Sequence, residues 1–244
     1  MIISILNHKG GTGKTTTTLN LGKALHLLNK SVLMIDLDAQ ANLSQSLGIE
    51  EADETIAETF SSKIESLPIK AVESKFDLVP ASLELSAIEP GMYANINSYF
   101  ILKTKLEKLG QSYDYTLIDC PPSLGIFTQN ALIASDAVII TVQAQYLALR
   151  GLDTVQSLIK NVKERLNDKI KILGLVLTQT NHTRLNKDIS NSLREVFKEK
   201  VFATSIRQNV ALAEASANRK TIFDYSPESF GAIDYMNLAK EIIL

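Results

Sequence analysis

The sequence predicts an α/β fold: one doubly wound domain over residues 1–244, with a mostly parallel β-sheet covered by helices on both faces. Three observations predict it. Short apolar runs rich in β-branched residues recur along the whole chain. They are near-continuous in hydrophobicity, as strands buried on both faces require. Stretches with helical spacing separate them, and strand followed by helix, repeated, builds a parallel sheet through right-handed crossovers.

In order, the strand runs are 2–6 (IISIL), 31–36 (SVLMID), 76–80 (FDLVP), 115–119 (YTLID), 137–142 (AVIITV), 171–178 (KILGLVLT) and 201–206 (VFATSI). Leu152, Val155, Leu158, Ile159, Val162 and Leu166 make one core-facing helical stripe. Leu185, Ile189, Leu193, Val196 and Phe197 make another. Residues 50–66 are acidic and polar with weak helical spacing, and read as a small surface excursion. No repeat, low-complexity tract or Pro/Gly-rich linker divides the chain.

Composition is that of a globular protein, with 45% hydrophobic and 21% charged residues in 244. No apolar run reaches the roughly 18 residues of a membrane span. The opening MIISILN lacks the basic region and cleavage site of a signal peptide. Cys120 is the single cysteine, which excludes a disulfide framework or a cysteine metal site within one chain. It reads as a buried small hydrophobe. A cytoplasmic protein is expected. Residues 1–150 hold 11 Lys/Arg against 16 Asp/Glu, and residues 151–244 hold 14 against 11. That asymmetry allows a basic face in the C-terminal third.

The stretch IISILNHKGGTGKTTTTLNLGKAL is a strand, a glycine-rich turn and a helix. Gly10, Gly11 and Gly13 let the backbone approach a ligand and take positive φ. The N–H groups of residues 10–13, Thr12 included, and the helix start form a nest for phosphate. Lys14 suits the β- and γ-phosphates, the Thr15 hydroxyl suits Mg²⁺, and Thr16 reaches the α-phosphate. The usual G-x-x-x-x-G-K-[ST] pattern wants glycine where His8 stands, and His8 reads as a passive strand-end residue. Lys9 is a second cation. It either swings inward to its own chain's phosphates or reaches those of a facing copy. Two carboxylates follow other strands. Asp38 lies just beyond Asp36, where ligands gather in such sheets, and suits the orientation of an attacking water. Asp119 ends a strand before Pro121-Pro122, which cannot continue it.

KGGTGKTT resembles the deviant Walker A box of the ParA/MinD group of P-loop NTPases. The resemblance covers nearly the whole chain. It implies a P-loop NTPase-type fold binding ATP and Mg²⁺, with slow, partner-stimulated hydrolysis. It makes Lys9 the signature lysine that contacts nucleotide across an ATP-sandwich homodimer. Asp38 matches the second aspartate of the switch I box D-x-D-P-Q, with Ala39 in the proline's place and a looser loop expected. Asp119 matches the Walker B aspartate, expected to hold Mg²⁺ through water. TVQAQYLALRGL (141–152) is similar to a segment expected at the dimer face, with Gln145 for the commoner glutamate. IRQNVALAEASANRKTI (206–222) is similar to I-P-R-N-V-R-L-x-E-A-P-S-x-G-K-x-I. There Asn209 is retained for the base, whereas Arg207 replaces proline and Arg219 replaces glycine.

Within the group, missing cysteine pairs exclude nitrogenase iron proteins, cluster carriers and arsenite pumps. A missing tyrosine-rich tail excludes the tyrosine kinases. The ending YMNLAKEIIL, with one lysine, argues against a MinD-like lipid-binding helix, so no stable membrane binding is expected. The loop begins almost at Met1, which leaves no room for an operator-binding helix-turn-helix. The pattern looks like the short ParA/Soj type. That type implies non-specific DNA as a partner of the ATP-bound dimer, a ParB-like adaptor that releases it, and association with the nucleoid. Candidate DNA contacts are Arg184, Lys187, Arg207, Arg219 and Lys220. A membrane- or cargo-positioning switch is the alternative reading.

Overall fold

The structure, a computed structural model, describes residues 1–50, 52–144 and 148–243, with backbone alone at 148–150. The elements run β1 (Ile2–Leu6), α1 (Lys14–Leu27), β2 (Val32–Asp36), α2 (Asn42–Gln45), α3 (Ile56–Phe60), β3 (Lys70–Glu73) and β4 (Phe76–Val79). They continue α4 (Glu84–Met92), α5 (Ile101–Glu107), β5 (Tyr115–Asp119), α6 (Ile126–Ala134), β6 (Ala137–Gln143) and α7 (Ala148–Arg165). The last are β7 (Lys171–Thr180), α8 (Arg184–Phe197), β8 (Val201–Arg207), α9 (Val210–Ala217), α10 (Ile222–Tyr225) and α11 (Phe230–Ile243).

The strands form one sheet in the order β3-β4-β2-β5-β1-β6-β7-β8. Every pair is parallel except β3 with β4. The expected mostly parallel, doubly wound sheet is therefore the one observed. Side chains leave each strand alternately to two apolar layers, as a period of two dictates. Leu33, Ile35, Val138 and Ile140 join the layer roofed by α3 to α8. Val32, Met34, Ala137 and Ile139 join the layer roofed by α1 and α11. Helix α1 lies very close to the sheet at Gly22: a Cβ there would meet Met34 Sδ at 2.9 Å.

The differences from expectation have local causes. Strand β3 was not expected, because four residues with alternating exposure make a weak apolar run; it pairs as an antiparallel edge. The 50–66 excursion carries a buried turn of helix. Thr55 and Glu58 form a reciprocal capping box, and Ile56 and Phe60 enter the core. The stripe on α8 is narrower than expected. Leu193 is fully buried and Ile189 and Phe197 pack partly, but Leu185 and Val196 are 62% and 61% exposed. At the first turn of α8 it is Asn186 that turns inward, donating to the Ala144 carbonyl at 3.2 Å.

Candidate active site

The phosphate loop joins β1 to α1. Gly11 (φ 74°) and Gly13 (φ 84°) take left-handed backbone. Gly10 does not, contrary to expectation; its site is open, with nothing within 4 Å of a notional Cβ. Gly13 begins α1, and its carbonyl accepts the Thr17 N–H at 2.9 Å. Thr12 is buried with its hydroxyl 3.0 Å from that of Thr141, while its carbonyl accepts from Thr178 Oγ1 at 2.8 Å. Its hydroxyl therefore ties the loop to β6 and its carbonyl ties it to β7.

Gly10, Gly11, Gly13, Lys14, Thr15 and Thr16 line one side of a cleft of about 740 Å³, a volume normal for a small-molecule site. Asp38 and Pro122 line another side. Lys14 is 7% exposed and its Nζ donates to the Lys9 carbonyl at 3.3 Å. Burial pulls its ammonium below the usual lysine range, against the attraction of Asp119. Lys9 itself is exposed, its N–H held by Asn7 Oδ1 at 3.0 Å. His8 lies so close to Gly151 of α7 that a Cβ there would overlap its ring.

The two strand-end aspartates face each other in register on β2 and β5. Asp36 is fully buried and organises the following loop. It accepts from Ser44 N at 3.0 Å, Ser44 Oγ at 2.8 Å and Asp38 N at 3.1 Å. Burial pushes its pKa up to about 6 despite those bonds. Ala39 leaves the loop closed, not loose: the Asp38 carboxylate accepts from Gln40 N at 3.0 Å, and its carbonyl accepts from Ala41 N at 2.9 Å.

Asp119 is also fully buried. Burial, then repulsion from Asp36, holds its carboxyl well above the usual range, although Thr15 and the Lys14 charge favour its ionised form; the Thr18 hydroxyl donates to its Oδ1 at 3.4 Å. Its Oδ2 has no hydrogen-bond partner among the described residues. An orphaned buried carboxylate oxygen next to a phosphate-loop threonine is suited to a divalent cation that keeps most of its waters. Among the described residues no group of three or more His, Cys, Asp or Glu is placed to form an all-protein metal cage. Cys120 is buried, with its thiol pushed up by burial, so it is inert as expected.

Residues that sequence reasoning missed brace this edge. Gln179 (φ 52°) donates to the Gly11 carbonyl at 2.8 Å and accepts from Gln143 at 2.6 Å. Neither glutamine lies in a phosphate-binding motif, so only the preceding strand ends hinted at their place. A second cavity of about 560 Å³ shares Gly13, Thr16, Gln179 and Ser216 with the cleft. Asn209 lines it, and its Oδ1 caps α9 by accepting from Ala211 N at 2.9 Å.

The C-terminal cations stand on different elements with different partners. Arg184, its side chain 96% exposed, and Lys187 stand on α8. Arg207 is neutralised by Asp234, to which its Nε donates at 2.9 Å, and its guanidinium stacks 4.0 Å from the Phe230 ring centre. Arg219 lines the nucleotide cleft and pairs with Glu50 at 2.8 Å. Lys220 follows it, exposed. Gln145 lies outside the described residues.

A central strand ending in a glycine turn and a helix, with carboxylates closing the neighbouring strands, defines a nucleotide-binding protein of the P-loop class. The AAA domain family matches residues 1–172. The chain is 41% identical to the sporulation initiation inhibitor protein Soj of Bacillus subtilis, over 99% of this chain and 97% of that one. It is 36% identical to the chromosome partitioning protein ParA of Myxococcus xanthus, over 99% and 87%. A cobyrinic acid a,c-diamide synthase from Mycobacterium smegmatis, solved with ADP and magnesium, superimposes with a TM-score of 0.85 at 29% identity, over 98% and 92%. The chain belongs to the Soj/ParA family of AAA-domain ATPases.

Proposed function

We propose that this protein is an ATP-dependent DNA-partitioning ATPase. Two copies close around ATP and Mg²⁺, bind DNA without sequence preference, and leave it when a ParB-like partner stimulates hydrolysis. The observation that carries the reading is the placement of the two loop lysines. Lys14 is buried in the cleft beside Asp119, whereas Lys9 is exposed. An exposed second lysine on the phosphate loop supports a role toward a facing copy, as a cation supplied in trans has in other phosphoryl-transfer enzymes. The names of the relatives and the ADP and magnesium of the structural neighbour support the same reading.

In this scheme the loop N–H groups and Lys14 hold the triphosphate of the substrate. Thr15 and Asp119 hold Mg²⁺, which when bound offsets phosphate charge. Asp38, fixed by the Asp36–Ser44 bonds, orients the attacking water. Asn209 faces the second cavity, where the base would lie. DNA contact falls to Arg184, Lys187 and Lys220, doubled in a dimer. The membrane-acting form of the rival positioning switch needs a free lipid-binding helix, but α11 buries Tyr235, Leu238 and Ala239 against the sheet; a switch acting on a protein scaffold would differ in ignoring DNA.

A DNA gel shift with ATP, ADP or no nucleotide, at two salt concentrations, tests the proposal. A shift is expected with ATP alone, weakening as salt rises. An ATP-bound dimer that ignores DNA even at low salt would overturn it. Turnover that needs neither DNA nor a protein activator would instead favour a small-molecule ligase.

A further inference from the structure

We propose that Arg219 is a nucleotide-binding residue, held in standby by Glu50 and passed to the polyphosphate when nucleotide enters the cleft. The inference rests on the nucleotide-site reading above and gives that site a third cation.

Two left-handed turns meet beside the cleft. Gly48 (φ 73°) follows α2, and Arg219 (φ 56°) follows α9. They approach closely: a Cβ at Gly48 would lie 3.5 Å from Arg219 Cδ. Two residues beyond Gly48, Glu50 Oε1 accepts from Arg219 Nη2 at 2.8 Å. Glu50 and Arg219 both line the cleft that the phosphate loop lines. The ion pair thus ties the arm carrying Asp38 to the C-terminal loop along the lining of the cleft.

The backbone at Arg219 is the second observation. An L-residue in the left-handed region is strained, and the similar segment of the family has glycine here. This turn closes the C-terminus of α9, the Lys220 N–H donating to the Ala215 carbonyl at 3.0 Å, and it fixes where the Arg219 side chain begins. The pair itself is weak, because both side chains are about half exposed, at 59% and 45%. A guanidinium fork matches phosphate oxygens at least as well as a carboxylate, and a polyphosphate presents more charge. Exchanging one for the other is therefore downhill. Before that exchange, Arg219 neutralises a carboxylate that would otherwise repel an incoming anion.

The test is calorimetric titration of the full chain with Mg·AMPPNP and with Mg·ADP. Arg219→Gly removes the cation and suits the left-handed turn, so folding is preserved. Its dissociation constant for AMPPNP is expected to rise about tenfold. Glu50→Gln frees Arg219 and is expected to bind as tightly as the parent or up to about threefold tighter. Parental affinity in Arg219→Gly would overturn the assignment. So would an equal weakening by Glu50→Gln, which would make the pair a structural tie alone. If the parent chain itself binds neither nucleotide, the nucleotide-site reading falls and this inference falls with it.

Discussion

The nucleotide cleft and the outer face of α8 break the same burial rule in opposite directions. In the cleft, polar groups are buried: Thr12, Lys14, Asp36 and Asp119. On α8 and the neighbouring C-terminal segments, apolar groups are exposed: Leu185, Val196, Val210 and Phe230. Both inversions are informative, since a buried polar group or an exposed apolar one departs from what folding alone prefers. Most of the cleft's polar groups have internal partners, Asp119 Oδ2 excepted. Leu185 and Val196 on α8 lie open to solvent, while Phe230 stacks on Arg207. The difference teaches where structure constrains function and where a partner must.

Perturbing the two regions sharpens that contrast. The largest effect is expected at Lys14. Lys14→Ala removes the buried cation and should weaken ATP binding roughly a hundredfold or more, read by titration calorimetry. Next is the inner side of α8. Leu193→Ala should cost about 3 kcal/mol in urea unfolding, whereas Leu185→Ala should change stability by about 0.5 kcal/mol or less. Equal costs would mean that α8 packs on both faces.

A smaller effect concerns pH. Asp36, raised to about 6 from 3.8, and Asp119, also raised, keep protons in the fold that the unfolded chain has lost. The folded protein binds more protons in that window, so its stability falls as pH rises from about 4 to about 6. Asp119→Asn should flatten this slope in unfolding measured across the window without nucleotide. An unchanged slope would show that Asp119 is ionised in the fold. The smallest effect falls on the outer face. Arg184→Ala with Lys187→Ala should leave nucleotide binding intact and lower the salt dependence of DNA binding. The slope of log K against log salt should drop by roughly one for each phosphate that is no longer neutralised.

The same contrast explains what could be read from the sequence. Strands β1 and β5 match their apolar runs residue for residue, and β6 and β8 exceed theirs by one residue. Runs buried on both faces leave little room for ambiguity. The phosphate loop was legible because its parts are contiguous. Gln143, Gln179 and Thr141 were not, because their roles arise only when β6 and β7 come beside a loop some 130 to 170 residues earlier. Arg207 and Arg219 looked like surface cations until Asp234 and Glu50, both distant in sequence, stood beside them. Local spacing reports local geometry, and the partners of a side chain are set by topology.

The position of β1 has a consequence for synthesis. That strand sits between β5 and β6, and the Ile2 N–H is held by Asp136, 134 residues away. A ribosome must therefore release more than half of the chain before the first strand gains both neighbours. Until then the glycine turn it carries has no frame to tense it, so a nascent fragment ending before β6 has no means of gripping ATP. Such long-range pairing slows folding, and the newborn protein stays inactive until its middle has been made.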